Sequence, residues 1–219
     1  MTPKFSLLTP TRNRRDWLPR CIQSVLNQTY QDWEQIVYDV GDEGSTVEDL
    51  IPADVRVRYV RGVCRGPAGD FQSALELAAG EIVTPLSDDD RLPRHALEVA
   101  AAHMGDASWL NGRTVLVNDA GYPVAFRGGT WAHVEETRHG MYMLGGAVYW
   151  RKELTDRLGG FNSAFDGAAD FDLYRRFLAD SEPARTGDIL YLYSDHALTD
   201  TRVNAARQSD ATRRIMAAA

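Results

Sequence analysis

Two cysteines in 219 residues, Cys21 and Cys64, are too few for a disulfide framework and lack zinc-type spacing. Cys21 falls on the apolar side of a predicted helix, so packing is its expected role, and a reducing, cytoplasmic setting follows. Positive charge is also short. Lys and Arg total 24 against 31 Asp and Glu, a net charge of −7. Binding a phosphate backbone in general requires a basic face, so no nucleic-acid partner is expected. No apolar run is long enough to span a bilayer, and "MTPKFSLLTP" lacks the layout of a signal peptide. Membrane contact is therefore expected to be peripheral at most, at the inner face. Repeats, low-complexity segments and clear linkers are missing too, which favours one compact domain.

What is present is alternation. "KFSLLT", "WEQIVYDV", "VRVRYV" and "EIVTPL" read as strands. Between them, "DWLPRCIQSVLNQ" places Trp17, Leu18, Cys21, Ile22, Val25 and Leu26 on one helical stripe. Asn13 is a natural N-cap for that helix, with Asp16 three residues on. "GPAGDFQSALELAAGE" supplies a second helix. Strand and helix in turn predict an α/β fold with a mostly parallel central sheet flanked by helices. After a helix in "LPRHALEVAAAH" the texture changes. "SWLNGRTVLVND" and "YPVAFRG" read as two strands around a turn, and "TWAHVEETRHGMYM" as a polar loop over the site. "LGGAVYW", "RKELTDRL", "ADFDLYRRFLAD" and "DILYLYS" follow as strand, helix, helix and strand. The expected layout is a nucleotide-type half over about 1–105, an acceptor-type half over about 106–195, and a tail over 196–219.

In open α/β sheets ligands bind beyond the carboxyl ends of the strands. Thr9–Pro10, Asp39 and "SDDD" (Ser87 to Asp90) all fall at such ends. Three adjacent carboxylates repel one another, so they need cations or different partners. One reading is helix capping, with Asp90 the candidate. Another is a divalent cation, because Mg²⁺ and Mn²⁺ take oxygen ligands and bridge carboxylates to phosphates. Asp89 is then the first choice of ligand, with Asp88 as helper. Asp170 and Asp172 open a helix, where the macrodipole favours acids. Asp39 also fits a turn, His196 also fits an ordinary hydrogen-bonded histidine, and Arg175–Arg176 fit a solvated face.

The order of these segments resembles glycosyltransferase family 2 with the GT-A fold, from about Phe5 to Tyr193. "SLLTPTRNRRDWLPRCIQSVLNQTYQDWEQIVYDVGDEGST" is similar to the family's opening. "GPAGDFQSALELAAGEIVTPLSDDDRL" is similar to the stretch with its A-x-G-E and D-x-D-type motif. "GGAVYWRKELTDRLGGFNSAF" and "AADFDLYRRF" resemble its acceptor side. The resemblance implies an inverting, metal-dependent glycosyltransferase moving a sugar from a UDP, dTDP or GDP donor to a hydroxyl of a glycan, glycolipid or natural product. It implies that Thr9 and Pro10 border the nucleobase and that Asp39 contacts base or ribose. Asp89 would hold Mn²⁺ or Mg²⁺ with Asp88 beside it, and Asp170 would be the general base. A loose match puts His196 near the metal or phosphate.

Several residues depart from the family pattern. Arg12 stands where many relatives carry another residue near the base, and its guanidinium plane suits stacking. Val40 replaces the second acid of D-D-G, and Ser87 the first acid of D-x-D. Phe71 and Gln72 replace Arg–Asn, and Ala169 replaces Glu. Two other functions compete. A sugar-phosphate nucleotidyltransferase would call for a glycine-rich loop after the first strand, but "TPTRNRRD" has no glycine. A non-catalytic sugar-nucleotide-binding module would not need Asp170. Residues 127 to 142 are expected to carry specificity. "TRVNAARQSDATRRIM" reads as a solvated helix or as a contact for anionic lipid.

Overall fold

The structure, a computed structural model, describes residues 2–118, 120–140, 144–197 and 199–217. Four strands form its parallel half: β1 (Phe5–Thr11), β2 (Trp33–Asp39), β3 (Val57–Arg61) and β4 (Ile82–Pro85). They lie in the order β3-β2-β1-β4, with Phe5 opposite Trp33 and Ile82, and Thr11 opposite Asp39. β1 and β2 are buried along nearly their whole length, as expected where both faces of a parallel sheet are covered. Alternate residues serve opposite faces. Leu7 packs with Cys21, Val25 and Leu97 on one side, and Leu8 with Ile36, Ala74 and Leu173 on the other. Helices α1 (Leu18–Leu26) and α3 (Ala96–Met104) supply the first layer. Helices α2 (Gly66–Glu76) and α6 (Ala169–Asp180) supply the second.

Beyond β4 the sheet becomes mixed. β7 (Val148–Arg151) runs antiparallel to β4 and to β5 (Trp109–Val117). β5 also pairs antiparallel with β6 (Pro123–Gly128) and parallel with β8 (Ala184–Ser194). Its pairing slips between Asn111 and Arg113, so one end joins the main sheet and the other forms a small sheet with β6 and β8. Gly112 sits at that slip because a Cβ there would meet Leu190 Cδ1 at 2.5 Å. Arg91 bridges to Leu192, tying the turn after β4 to the small sheet.

Three local expectations change. Helix α1 starts at Leu18, and Asn13 is not its cap. Asn13 adopts φ +58° and exchanges hydrogen bonds with Asp42, giving Nδ2–H to its carboxylate at 2.7 Å and accepting its amide at 2.9 Å. Trp17 leaves the apolar stripe and is half-buried. The polar segment after β6 is not a loop but α4 (Trp131–Arg138), capped by Thr130, which accepts the His133 amide. Its lack of apolar periodicity hid it, since it buries little beyond Val134 and Thr137. The end of that segment, residues 141–143, lies outside the described residues.

The stretch read as a tail is part of the domain. After α5 (Lys152–Leu158) and α6, the chain leaves β8 through α7 (Asp200–Val203) into α8 (Ala205–Ala217). Ala211 and Ile215 of α8 pack on Ala168 and Phe171. Of the four arginines in this stretch, expected on a solvated helix or at anionic lipid, three bind the fold: Arg202 to Asp195 at 2.8 Å, Arg207 to Asp166 at 3.0 Å, and Arg214 over Phe165; Arg213 is exposed and pairs with Asp210 within α8. Among the described residues, no helix is long and apolar enough to cross a membrane. Ile215→Ala should loosen this docking by about 2–4 kcal/mol. Amide exchange within α8 is then expected to accelerate by an order of magnitude or more while β1 and β2 stay protected. Unchanged α8 exchange would show that another contact holds the helix.

Candidate active site

A cavity of about 740 Å³ opens where the ends of β1 and β4 meet the small sheet and α6. That is the size of a small-ligand site. Pro10, Arg12 and Arg14 line it from the β1 end, Asp88 to Asp90 from the turn after β4, and Asp170 from α6. Segments eighty residues apart in sequence thus face one space.

The three aspartates diverge. Asp90 is buried; its carboxylate accepts Tyr191 Oη–H and the Ser194 amide, each at 2.7 Å. It caps no helix, because α3 begins at Ala96, after His95. Burial, then the Asp89 charge, pushes the Asp90 carboxyl well above its ordinary range. Asp88 is buried against the cavity, and burial with the Asp89 charge raises its carboxyl to about 7, opposed by the Thr11 hydroxyl and Arg14. Asp89 is the one that meets cations. Its Oδ2 takes Arg14 Nη1 at 3.0 Å and lies 3.1 Å from His196 Nε2. Its backbone carbonyl accepts the Ser194 hydroxyl at 2.6 Å.

His196 is 5% exposed and held from its face. The Trp17 ring stacks on it at 4.0 Å with 18° between planes, and the Arg20 guanidinium lies 4.6 Å from the Trp17 ring centroid. His196 therefore reaches the site through Asp89 rather than by lining the cavity. The 3.1 Å between Asp89 Oδ2 and His196 Nε2 is a hydrogen-bond distance that the edge of an octahedron with bonds of about 2.1 Å would also give, so these two atoms would fit one divalent cation only in place of that hydrogen bond. Among the described residues no group of three or more His, Cys, Asp or Glu side chains is placed to hold a metal. A cation here would depend on ligand oxygens for the rest of its shell.

Two predicted contacts lie behind the wall. Asp39 is fully buried and does not line the cavity. Its carboxylate accepts the Gly41 amide at 2.8 Å, the Val47 amide at 3.0 Å and Tyr59 Oη–H at 3.1 Å, and pairs with Arg61 at 3.2 Å. That satisfies its oxygens, so it shapes the 40–47 loop and is corrected from a base or ribose contact to a loop organiser. The Thr9 hydroxyl, also buried, accepts Gln35 Nε2–H at 3.0 Å, leaving Pro10 as the neighbour that faces the cavity. Arg12 lines the space and pairs with Asp42 at 3.2 Å.

Sequence reasoning missed Asp70, Arg14, Trp17 and Tyr191. Asp70 lines the cavity from α2, accepts the Arg65 amide at 2.7 Å, and is raised by burial. Its place inside a helical pattern gave no sign of this. Three departures from the family pattern are apolar, Val40, Phe71 and Ala169, and they line the space together with the polar departures Arg12 and Ser87; Phe71 packs on Phe161 with ring centroids 5.3 Å apart. Gln72 turns away to accept the Phe161 amide at 2.9 Å.

Asp88 gives a stability test. Its folded pKa of about 7 exceeds the ordinary 3.8, so between those values the native state holds the extra proton and stability falls as pH rises. The gap corresponds to on the order of 4 kcal/mol. Asp88→Asn should raise the melting temperature by several degrees at pH 8 and leave it nearly unchanged at pH 4. A difference independent of pH would refute the burial of a titrating carboxyl here.

The family model "Glycosyl transferase family 2" matches residues 6–178. A GalNAc(5)-diNAcBac-PP-undecaprenol beta-1,3-glucosyltransferase of Campylobacter jejuni subsp. jejuni serotype O:2 is 40% identical over 100 residues, covering 43% of this chain and 32% of that protein. Chondroitin synthase of Pasteurella multocida is 27% identical over 189 residues, 78% of this chain and 18% of its own length. The chain thus spans a third or less of these curated relatives. Among solved structures, the mannosyltransferase PcManGT from Pyrobaculum calidifontis, in complex with GDP-Man and Mn²⁺, superposes with a TM-score of 0.72 at 19% identity over 99% of this chain and 64% of its own. TarS 1-349 of S. aureus in complex with UDP gives 0.68 at 18% identity over 98% of this chain and 70% of its own. At those identities the likeness is one of fold, of the GT-A type. The sequence match covers most of the length, and on it the chain belongs to glycosyl transferase family 2.

Proposed function

We propose that the chain transfers a sugar from a nucleotide-diphosphate donor to an acceptor hydroxyl, inverting the anomeric carbon. The observation that carries this reading is the convergence of Asp88–Asp89, backed by His196, with Asp170 on one cavity. Relatives are named glycosyltransferases, and the structural neighbours hold UDP or GDP-Man. Their names span a lipid-diphosphate oligosaccharide and a polysaccharide synthase, so a glycan or glycolipid is the acceptor we favour.

In this reading the base would lie over Pro10, Arg12 and Val40, which line the cavity. Asp39 acts there indirectly, by fixing the turn from which Val40 projects. Asp89 and His196 would hold Mn²⁺ or Mg²⁺, which when bound offsets the charge gathering on the leaving diphosphate. Arg14, already on Asp89, adds a permanent cation at the same point. The step itself is a single displacement. The acceptor oxygen bonds to the anomeric carbon as the bond from that carbon to the diphosphate oxygen breaks. The electron pair leaves with the diphosphate, and the hydroxyl proton passes to the Asp170 carboxylate. Asp170 is anchored for this role at the start of α6, where its Oδ1 accepts the Phe171 amide at 2.8 Å.

Asp170→Asn should lower kcat by about 10²–10⁴ while donor affinity changes less than twofold; full transfer activity in that variant would remove Asp170 as base. Calorimetric titration of UDP, dTDP and GDP with and without Mn²⁺ tests the other half. One nucleotide is expected to bind at least tenfold more tightly with the metal, and Asp89→Ala and His196→Ala should each abolish that gain. Binding indifferent to metal and to both substitutions would assign the Asp89–His196 pair a purely structural part.

A further inference from the structure

Three arginines line the cavity, and two of them are engaged: Arg12 with Asp42 and Arg14 with Asp89. Arg127 differs. It is half-buried, it faces the cavity, and among the described residues no hydrogen bond or ion pair occupies its guanidinium. The acid that shares its field, Asp195, is held low first by its hydrogen bonds with Arg202, at 2.8 Å, so it is already committed. Side chains alternate along β6. Phe126 points outward, 55% exposed with Arg113 over its ring, and Arg127 points the other way, over the strand pair Thr114–Tyr191.

Its position in the sheet says which part of the cavity it serves. Arg91, Leu192, Val115 and Phe126 form one row across the small sheet. Three strand steps separate the aspartate turn from β6, or about 14 Å. The base-facing residues Pro10 and Val40 belong to β1 and the loop after β2, on the far side of that turn. A donor with its base there and its diphosphate at Asp89 leaves the β6 end of the cavity to the other substrate. An oxyanion set against the Arg127 guanidinium would gain charge-assisted, bidentate hydrogen bonds that a neutral sugar hydroxyl cannot match.

We propose that Arg127 is the acceptor-side anion reader, and that the acceptor carries an oxyanion, either a phosphate or a sugar carboxylate, near its reacting hydroxyl. This rests on the donor placement under the proposed function. It goes further by naming the chemistry of the second substrate.

The test titrates methyl phosphate, methyl glucuronide and neutral methyl glucoside into protein saturated with whichever of UDP or GDP binds, with Mn²⁺ present. At least one anion is expected to bind in the millimolar range, with methyl glucoside weaker by tenfold or more. Arg127→Ala should weaken that anion at least tenfold, and Arg127→Lys should restore part of the loss. The nucleotide Kd should stay within twofold in both variants. Preference for methyl phosphate marks a phosphorylated acceptor; preference for methyl glucuronide marks an acidic sugar. Equal anion binding in wild type and Arg127→Ala overturns the proposal, as does the absence of any anion binding. A tenfold loss of nucleotide affinity in Arg127→Ala overturns it differently, by moving Arg127 onto the donor diphosphate. If no nucleotide binds, the donor reading fails by itself, and the same anion titration on the nucleotide-free protein still decides whether Arg127 holds an oxyanion. Among the described residues Arg127 makes no hydrogen bond, so melting temperatures should be unchanged; should Arg127→Ala fail to fold, Arg127→Gln carries the comparison.

Discussion

The Asp90 carboxylate lies in the interior, 2% exposed, and takes two hydrogen bonds at 2.7 Å from β8. Hydrogen bonds of this kind contribute about 0.5–1.5 kcal/mol each, or about 1.5–3 kcal/mol to an ionised acceptor, and leaving the buried group unmet would cost more. The contact does not merely stabilise. It fixes the turn after β4 against the end of β8, with the Arg91–Leu192 bridge beside it. Tyr191 spans the junction, giving its hydroxyl proton to Asp90 while that oxygen accepts the Ser87 amide at 3.1 Å. Once turn and strand are locked, the residue two places beyond β8 falls beside Asp89. His196 thus meets its partner from 107 positions away. The arrangement of Asp89, His196 and Arg14 is a consequence of the Asp90 tether.

The parallel half was legible because burial on both faces leaves its mark on each strand separately. β1, β2 and β4 are apolar runs ended by Thr, Asp or Pro–Leu–Ser, and such ends gather at one edge of a parallel sheet. The second half was harder to read. Its small sheet depends on a slip within β5, and nothing in "WLNGRTVLV" except a glycine announces it. Helix α4 presents few buried residues and therefore no period. Asn13 has the chemistry of a cap and uses it on Asp42, a partner 29 residues away. A side-chain amide satisfies a loop as well as a helix end, and sequence shows the donor without showing the recipient.

Within the site, legibility tracked the same boundary. Asp88, Asp89 and Asp170 stand at element ends, where a side chain can face a crevice, and the structure puts all three on the cavity. Asp39 stands at such an end as well, but the strand closes over it and four groups saturate its oxygens. Exposure separates these cases, and exposure depends on the next loop rather than on the residue. Trp17 makes the same point from the apolar side. Its spacing puts it on the α1 stripe, yet it sits at the helix start, where the layer is incomplete and the His196 ring takes the vacant face.

The aspartate triplet also changes the charge a ligand meets. Counted from sequence, Asp70, Asp88, Asp89, Asp90 and Asp170 would give the cavity five negative charges, a hostile place for a diphosphate. Burial raises Asp70, Asp88 and Asp90, and the Asp89 charge adds to the rise for the last two. The charged form is thus disfavoured at these buried carboxyls, which eases the repulsion. Asp89, with its Oδ2 3.0 Å from Arg14 Nη1, is the carboxylate best placed to share a cation with an incoming anion. The triplet therefore works by inequality. One member is spent on the fold, one lies against the cavity with its carboxyl raised to about 7, and one meets Arg14 and His196, so three like residues in sequence take three different parts.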